Sequence, residues 1–253
     1  MASVERSALP YQPDQEKAGR TRLGELLANG PVPVGQQADD LALYMSRGAI
    51  ADLLAMDTLY RMIMDVPGVI MELGVYRGRH LATFTALRAL YEPYDLFRQV
   101  IGFDTFAGFP DVAQIDQVGP RASAGNFATP SGYADHLRAV LEAHESSEPH
   151  GHFRRSMLVE GDVRKTLPEY LERNPHTVVA LAYFDMDLYE PTRDALQAIR
   201  PYLTEGSILA FDELNHAVWP GETAALRELI GLDHGPLRKL PGRAYPTYLR
   251  WKS

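Results

Sequence analysis

The sequence predicts an α/β fold, a mostly parallel sheet with helices on both faces and an antiparallel hairpin at its C-terminal edge. Three observations carry this. Five short apolar runs, at 69–73, 100–103, 157–160, 178–184 and 207–211, have the length of buried strands. Segments with apolar residues at three- and four-residue steps lie around and between them, as amphipathic helices require. Strands that alternate with helices build a parallel sheet covered on both sides.

The elements follow in chain order. Residues 1–38 are rich in Pro, Gly and Gln and read as an N-terminal arm with one short helix near 21–28. From residue 39 onward we expect one domain. Leu53, Met56, Leu59, Tyr60 and Ile63 share a helix face, which Pro67-Gly68 ends. The first strand, Val69 to Leu73, runs into Gly74. Leu81, Phe84, Leu87 and Leu90 mark the next helix. The second strand ends at Asp104, the third at Gly161-Asp162 and the fourth at Asp185. Pro191 opens a helix carrying Leu196, Ile199 and Leu203, since proline's missing N–H costs nothing in a first turn. The fifth strand ends at Asp212-Glu213, and a helix near 223–230 follows. Residues 237–240 and 247–251 form the expected hairpin. Residues 111–155 break the rhythm, and we expect a lid-like insertion there over the strand ends.

Composition removes several function classes. The chain has 253 residues with 25 Lys plus Arg against 33 Asp plus Glu, a net charge of −8. An acidic surface disfavours nucleic acid, whose phosphates need a basic face. The chain has no cysteine, which excludes disulfides, thiolate metal sites and cysteine nucleophiles. No apolar stretch has the length of a membrane span, and the start of the chain lacks the apolar segment of a signal peptide. The expected location is the cytoplasm.

The chemistry should sit where the strands end. Ligands of open α/β sheets bind beyond the carboxyl ends of the strands. Here those ends carry Asp104, Asp162, Asp185 and Asp212. Acids gathered at one rim repel unless cations or donors lie among them. In the turn Glu72-Leu73-Gly74-Val75-Tyr76-Arg77-Gly78, two glycines let a ligand approach the backbone. Its amides suit a carboxylate and Glu72 suits an ammonium group, and an amino acid carries both. Asp104, followed by Thr105, suits the hydroxyls of a ribose, and Gly161-Asp162 suits an exocyclic amine. Asp185, with Asp212-Glu213, offers hard oxygen ligands for Mg²⁺ or a similar cation. His216 follows that pair and is a second candidate base after Asp185. Each feature also has a purely structural reading. The first turn can be a tight strand–helix connection, Asp104 can cap 105–108, and Asp162 can sit in a solvated turn. Asp187 can cap the Pro191 helix, and His216 can bond to backbone. His80 reads as structural at a helix start. Trp219-Pro220-Gly221-Glu222 reads as an apolar wall or as the start of a helix.

Five stretches, MELGVYRGRHLATF, IGFDTFAGFP, LVEGDVRKTLPEYL, YFDMDLYEPTRDAL and ILAFDELNHAVWPGET, occur in this order over residues 71–223. Together they resemble the macrocin O-methyltransferase family, S-adenosylmethionine (SAM) enzymes of antibiotic biosynthesis. The resemblance implies a Rossmann-like class I methyltransferase fold and methyl transfer to a deoxysugar hydroxyl, on a nucleotide sugar or an attached glycoside. It implies that Glu72, Gly74, Val75, Tyr76 and Gly78 hold the methionine part of SAM. Asp104 with Thr105 would take the ribose, and Gly161 with Asp162 the adenine. Asp185, Asp212 and Glu213 would hold Mg²⁺; the family more often has two aspartates at the last two positions. The implied substrate partner is a small-molecule sugar; a homo-oligomer is expected, and composition excludes nucleic acid and membrane as partners. Two rivals remain, a metal-dependent hydrolase and a non-catalytic nucleotide- or sugar-binding protein. The first has no use for the 72–78 turn, and the second needs no acidic rim.

Overall fold

A computed structural model of the chain describes residues 14–118, 121–241 and 245–252. The chain divides into two compact units, Met1–Leu54 and Ala55–Ser253. In the first, α1 (Asp14–Ala28) begins seven residues before the helix expected from 21–28. An Arg22–Glu25 ion pair at 3.1 Å lies along it, and the Asn29 amide closes its end by donating to the Glu25 carbonyl at 2.9 Å. The first 13 residues of the expected arm lie outside the described residues. Helix α2 (Arg47–Arg61) starts with the Ser46 hydroxyl accepting from the Ala49 amide at 3.2 Å, an N-cap.

The second unit is the sheet. Its strands are β1 (Val69–Leu73), β2 (Val100–Asp104), β3 (Ser156–Glu160), β4 (Val179–Phe184), β5 (Leu203–Phe211), β6 (Arg238–Lys239) and β7 (Thr247–Arg250). They lie in the order β3-β2-β1-β4-β5-β7-β6. β1 to β5 are parallel, and β7 is antiparallel to both β5 and β6. The expected fold class and hairpin are therefore present.

The helices form two layers. α3 (Arg79–Tyr91) and α4 (Tyr133–Ser146) bury one face of the sheet, joined by Met56, Leu59, Tyr60 and Ile63. α5 (Val163–Arg173), α6 (Tyr189–Ile199) and α7 (Gly221–Leu229) bury the other. Sequence periodicity did not separate α5 as an element, because Pro168 interrupts its pattern. Pro168 lies in the second turn, so the bond that an N–H there would donate to the Arg164 carbonyl is missing, and Asp162 caps the helix by accepting from the Arg164 amide. Leu203 belongs to β5 rather than to the helix before it, because Pro201 lies in a 3₁₀ turn that ends α6.

The expected insertion at 111–155 consists of two different parts. α4 packs Ala134, Leu137 and Leu141 into the core, so it is the helix between β2 and β3 rather than a lid. The described parts of the remaining loop, 105–118 and 121–132, run over the rim. They are tied down by Thr129 N to Phe106 O at 3.0 Å and Phe109 N to Asn126 O at 3.0 Å. The buried Asp116 also ties the loop to the start of α6 by accepting from the Tyr189 amide at 2.9 Å. Among the described residues no helix is long and apolar enough to cross a membrane.

Candidate active site

All the expected site residues lie in the sheet unit, at the carboxyl rim. Strain gathers there too. Tyr76, Phe106, Asp187 and Asn215 have left-handed φ angles of 50°, 54°, 64° and 63°, each just after the end of β1, β2, β4 or β5. Such conformations cost about 1–3 kcal/mol each and cluster at functional sites.

The turn after β1 and the ends of β2 and β3 are already satisfied by the chain itself. Asp104 Oδ2 accepts from the amides of Val75 and Tyr76, both at 2.7 Å, and Oδ1 from Phe106 at 2.6 Å. The acid at β2 thus fills the anion role at the β1 turn that the sequence left to a ligand carboxylate. Thr105 donates to the Gly108 carbonyl at 2.7 Å and accepts from the Ala107 amide at 3.2 Å. Gly161 donates its N–H to the Asp104 carbonyl at 2.8 Å. Asp162 meets the Arg164 guanidinium at 2.7 Å. Burial pushes its carboxyl up, but the hydrogen bonds from Arg164 outweigh this and the net shift is downward. Gly78 caps α3 in a left-handed conformation, with its N–H on the Val75 carbonyl at 2.8 Å. Gly74 has φ +92°, and a Cβ there would lie 2.0 Å from the Asp185 carbonyl oxygen. Its lack of a side chain serves the join between β1 and β4.

The ends of β4 and β5 are different. Phe184 pairs with Phe211, so Asp185 and Asp212 leave neighbouring strands side by side, as the sequence anticipates. Asp212 accepts from the Tyr183 hydroxyl at 2.7 Å. That phenol is fully enclosed, and burial first, then Asp212, holds it far above its ordinary pKa. Glu213 is pushed up to about 10, by burial first and then by Asp187, Asp212, Glu222 and Asp185. Glu222 is also raised, by burial and then by Asp187, Asp212 and Asp185. Its Oε2 accepts from the Glu213 amide at 2.9 Å. Among the described residues Glu213 Oε2 and Glu222 Oε1 are buried with no hydrogen-bond partner. His216 Nδ1 accepts from the amides of Val218 at 3.3 Å and Trp219 at 3.2 Å. Its neutral form therefore carries the proton on Nε2, and burial lowers its pKa.

Two residues were missed as site members. Glu222 is completely buried in the first turn of α7 and faces the acids. His80, in the first turn of α3, is 3% exposed and lies between Glu72 and Asp185, at 3.4 Å and 3.7 Å from Nδ1. Those three are the one group among the described residues whose metal-capable atoms all lie within 4.8 Å of one another. Neither residue has a signal in the linear sequence, because helix packing alone brings them to the rim. Trp219 serves both readings of its turn. It packs on Phe109 and Phe127, with ring centroids 6.0 Å and 6.2 Å away, and α7 starts two residues later.

The strand order, the single reversed strand and the ligand rim define a class I methyltransferase fold. Residues 55–229 match the macrocin-O-methyltransferase (TylF) family, and the chain belongs to it. A crystal structure of the calicheamicin methyltransferase CalS11 is 55% identical over 100% of both chains, with a TM-score of 0.94. An apo structure of the same enzyme, identified as a TDP-rhamnose 3'-O-methyltransferase of calicheamicin biosynthesis, is 52% identical with a TM-score of 0.85. It covers 96% of this chain and 97% of its own. Demethyldecarbamoylnovobiocin O-methyltransferase of Streptomyces niveus is 29% identical over 59% of this chain and 53% of its own. The chain spans about half the length of the curated relatives it matches.

Proposed function

We propose that the protein is a SAM-dependent, divalent-metal-dependent O-methyltransferase acting on a deoxysugar hydroxyl in antibiotic biosynthesis. The acceptor is a nucleotide sugar, the class named for the relative that is 52% identical over almost the whole chain. The observation that carries the metal requirement is the crowd of carboxyls at the ends of β4 and β5, where two buried carboxylate oxygens lack partners.

The donor chemistry suits both groups, although the oxygens of Asp185, Asp212 and Glu213 do not all lie within 4.8 Å of one another as the ligand atoms of Glu72, His80 and Asp185 do. An all-oxygen donor set from Asp185, Asp212 and Glu213 suits a hard cation such as Mg²⁺. Glu72, at the end of β1, suits the ammonium group of SAM, and Asp104, Thr105, Gly161 and Asp162 line the ends of β2 and β3 where the nucleoside belongs. SAM supplies a methyl group on a positively charged sulfur. A bound Mg²⁺ supplies positive charge that eases loss of the hydroxyl proton. Asp185 faces the acceptor and takes that proton. Asp212, held by Tyr183, and Glu213, held from the amide side by Glu222, keep the acidic pocket in place. The 105–132 loop, with Phe109 and Phe127 on Trp219, excludes water. The rest of the rate enhancement is alignment of acceptor oxygen, methyl carbon and sulfur.

The test is calorimetric titration with SAM, with and without Mg²⁺ or chelator, followed by mass spectrometry for one added methyl group over TDP-deoxysugars and glycosides. Chelation should abolish turnover and leave SAM affinity nearly unchanged. Transfer only to glycosides would overturn the nucleotide-sugar acceptor, and absence of SAM binding would overturn the reading as a whole.

A further inference from the structure

We infer that His80 is a positioning residue that joins the cofactor half of the site to the acceptor half by presenting Nδ1–H to both Glu72 and Asp185. The inference rests on the methyltransferase reading above. Its physical basis is independent of that reading.

Glu72 and His80 are 1% and 3% exposed, and Asp185 is only 10% exposed. Two carboxylates so close and so far from water repel each other strongly. A donor between them relieves that repulsion. Arg79 decides which ring nitrogen is the donor. Its guanidinium reaches His80 Nε2 at 3.3 Å, and a guanidinium has only donors. Nε2 must therefore be the bare acceptor, and in the neutral ring the proton is on Nδ1. Nδ1 is the atom that faces Glu72 Oε1 at 3.4 Å and Asp185 Oδ2 at 3.7 Å. The same assignment makes Nδ1 a poor metal ligand, because its lone pair is used by the proton. The group thus reads as an electrostatic clamp, one N–H held 3.4 Å and 3.7 Å from two carboxylates, rather than a second cation site.

The rest of the ring is held by packing. Tyr183 stands edge-on to it, with centroids 5.0 Å apart, and the same tyrosine donates to Asp212. One continuous set of contacts therefore runs from Glu72 through His80 and Tyr183 to Asp212. Glu72 and Tyr183 are register partners on β1 and β4, so the sheet itself fixes the spacing that His80 spans. Freed from the clamp, Asp185 would turn away from Glu72, and the acceptor oxygen would lose its alignment with the methyl group. Groups that orient a metal ligand from behind typically change affinity or activity by about 10–100-fold.

Three substitutions separate the readings. His80→Asn retains an N–H close to the Nδ1 position, His80→Gln moves its amide toward Nε2, and His80→Leu has no donor. The clamp predicts that Leu and Gln lower kcat and weaken Mn²⁺ binding by about 10–100-fold, with a smaller change in KM for SAM. Asn should recover both to within a few-fold of wild type. A histidine that only fills space would give the opposite order, with Leu tolerated and Asn impaired. Long-range ¹⁵N–¹H spectra of the wild-type ion-free protein give a second readout that needs no variant to fold and no turnover. The His80 ring should show a protonated Nδ1 and a bare Nε2. An Nε2–H ring, or wild-type kcat and Mn²⁺ affinity in folded His80→Leu, overturns the inference. Failure of the methyltransferase reading would appear separately, as a wild-type protein that does not bind SAM.

Discussion

Two halves of one rim treat their acids in opposite ways. At the ends of β2 and β3 each carboxylate is satisfied from within the chain. Asp104 holds three backbone amides, and Asp162 holds Arg164 and sits below its ordinary pKa. At the ends of β4 and β5 the acids press on one another, and Glu213 and Glu222 are driven upward. The first half is organised before any ligand arrives. The second half carries unbalanced negative charge, and a cation is the simplest remedy. The contrast suits the proposed division of labour, with nucleoside recognition on one side and metal-assisted chemistry on the other.

The largest effect should come from breaking the second half. Asp185→Asn keeps the shape of the side chain but removes the charge. Turnover should fall by about 10²–10⁴-fold at saturating Mg²⁺, while the SAM dissociation constant stays near wild type. His216→Ala should cost only about tenfold, a modest part of the orientation contribution. Its Nδ1 is occupied by two amides and its neutral Nε2 carries a proton, so it is poorly placed to accept one. Near-normal turnover in Asp185→Asn, with His216→Ala inactive, would reverse the two roles.

Gly74→Val probes the seam between the halves. The sequence assigned the empty space at Gly74 to a ligand, but the Asp185 carbonyl occupies it. Valine also suits a φ of +92° badly. We expect poor folding, or a melting temperature many degrees lower, rather than selective loss of SAM binding. A variant with wild-type melting behaviour and weak SAM binding would return the glycine to the cofactor.

A subtler effect should appear in the pH dependence of stability. Glu213 has its folded pKa raised from 4.5 to about 10. The protonated carboxyl is favoured by the fold, so its contribution is full below pH about 4.5 and is lost as pH rises toward 10. Without divalent cation, melting temperature should therefore decline across that window. Glu213→Gln should flatten the decline and raise the melting temperature near pH 8 by several degrees, and Mg²⁺ should flatten it for the wild type. An unchanged slope in the variant would show that this carboxyl is not the strained one.

The smallest effect belongs to the satisfied half. Asp162→Ala removes a helix cap and an ion pair and should cost about 1 kcal/mol. Thermal melting would register this as a loss of roughly 2–4 °C. Because the folded pKa is depressed, the wild-type advantage exists above the unfolded pKa and disappears as pH falls through the acid range. A loss of stability as large as that of Gly74→Val would mean that Asp162 does more than cap α5.

The mostly parallel sheet, the antiparallel C-terminal hairpin and the position of each rim acid were legible in the sequence, and the order of the strands across the sheet was not. Short apolar runs that end in Asp are local patterns, and parallel-sheet topology converts them into one rim. Pairing of Asp185 with Asp212 also followed, once β4 and β5 were neighbours. What each acid touches was decided only by the tertiary structure. Asp104 bonds to amides 28 and 29 residues away, Glu222 reaches the amide of Glu213 across a loop, and His80 meets Glu72 and Asp185 through the packing of α3. Likewise, α4 belongs to the core although its flanks look like an insertion, because its apolar stripe has a sheet to cover. Local periodicity reports which face of an element is apolar. The choice between donor, cation and like charge as a carboxylate's neighbour depends on residues distant in sequence, and only folding brings those together.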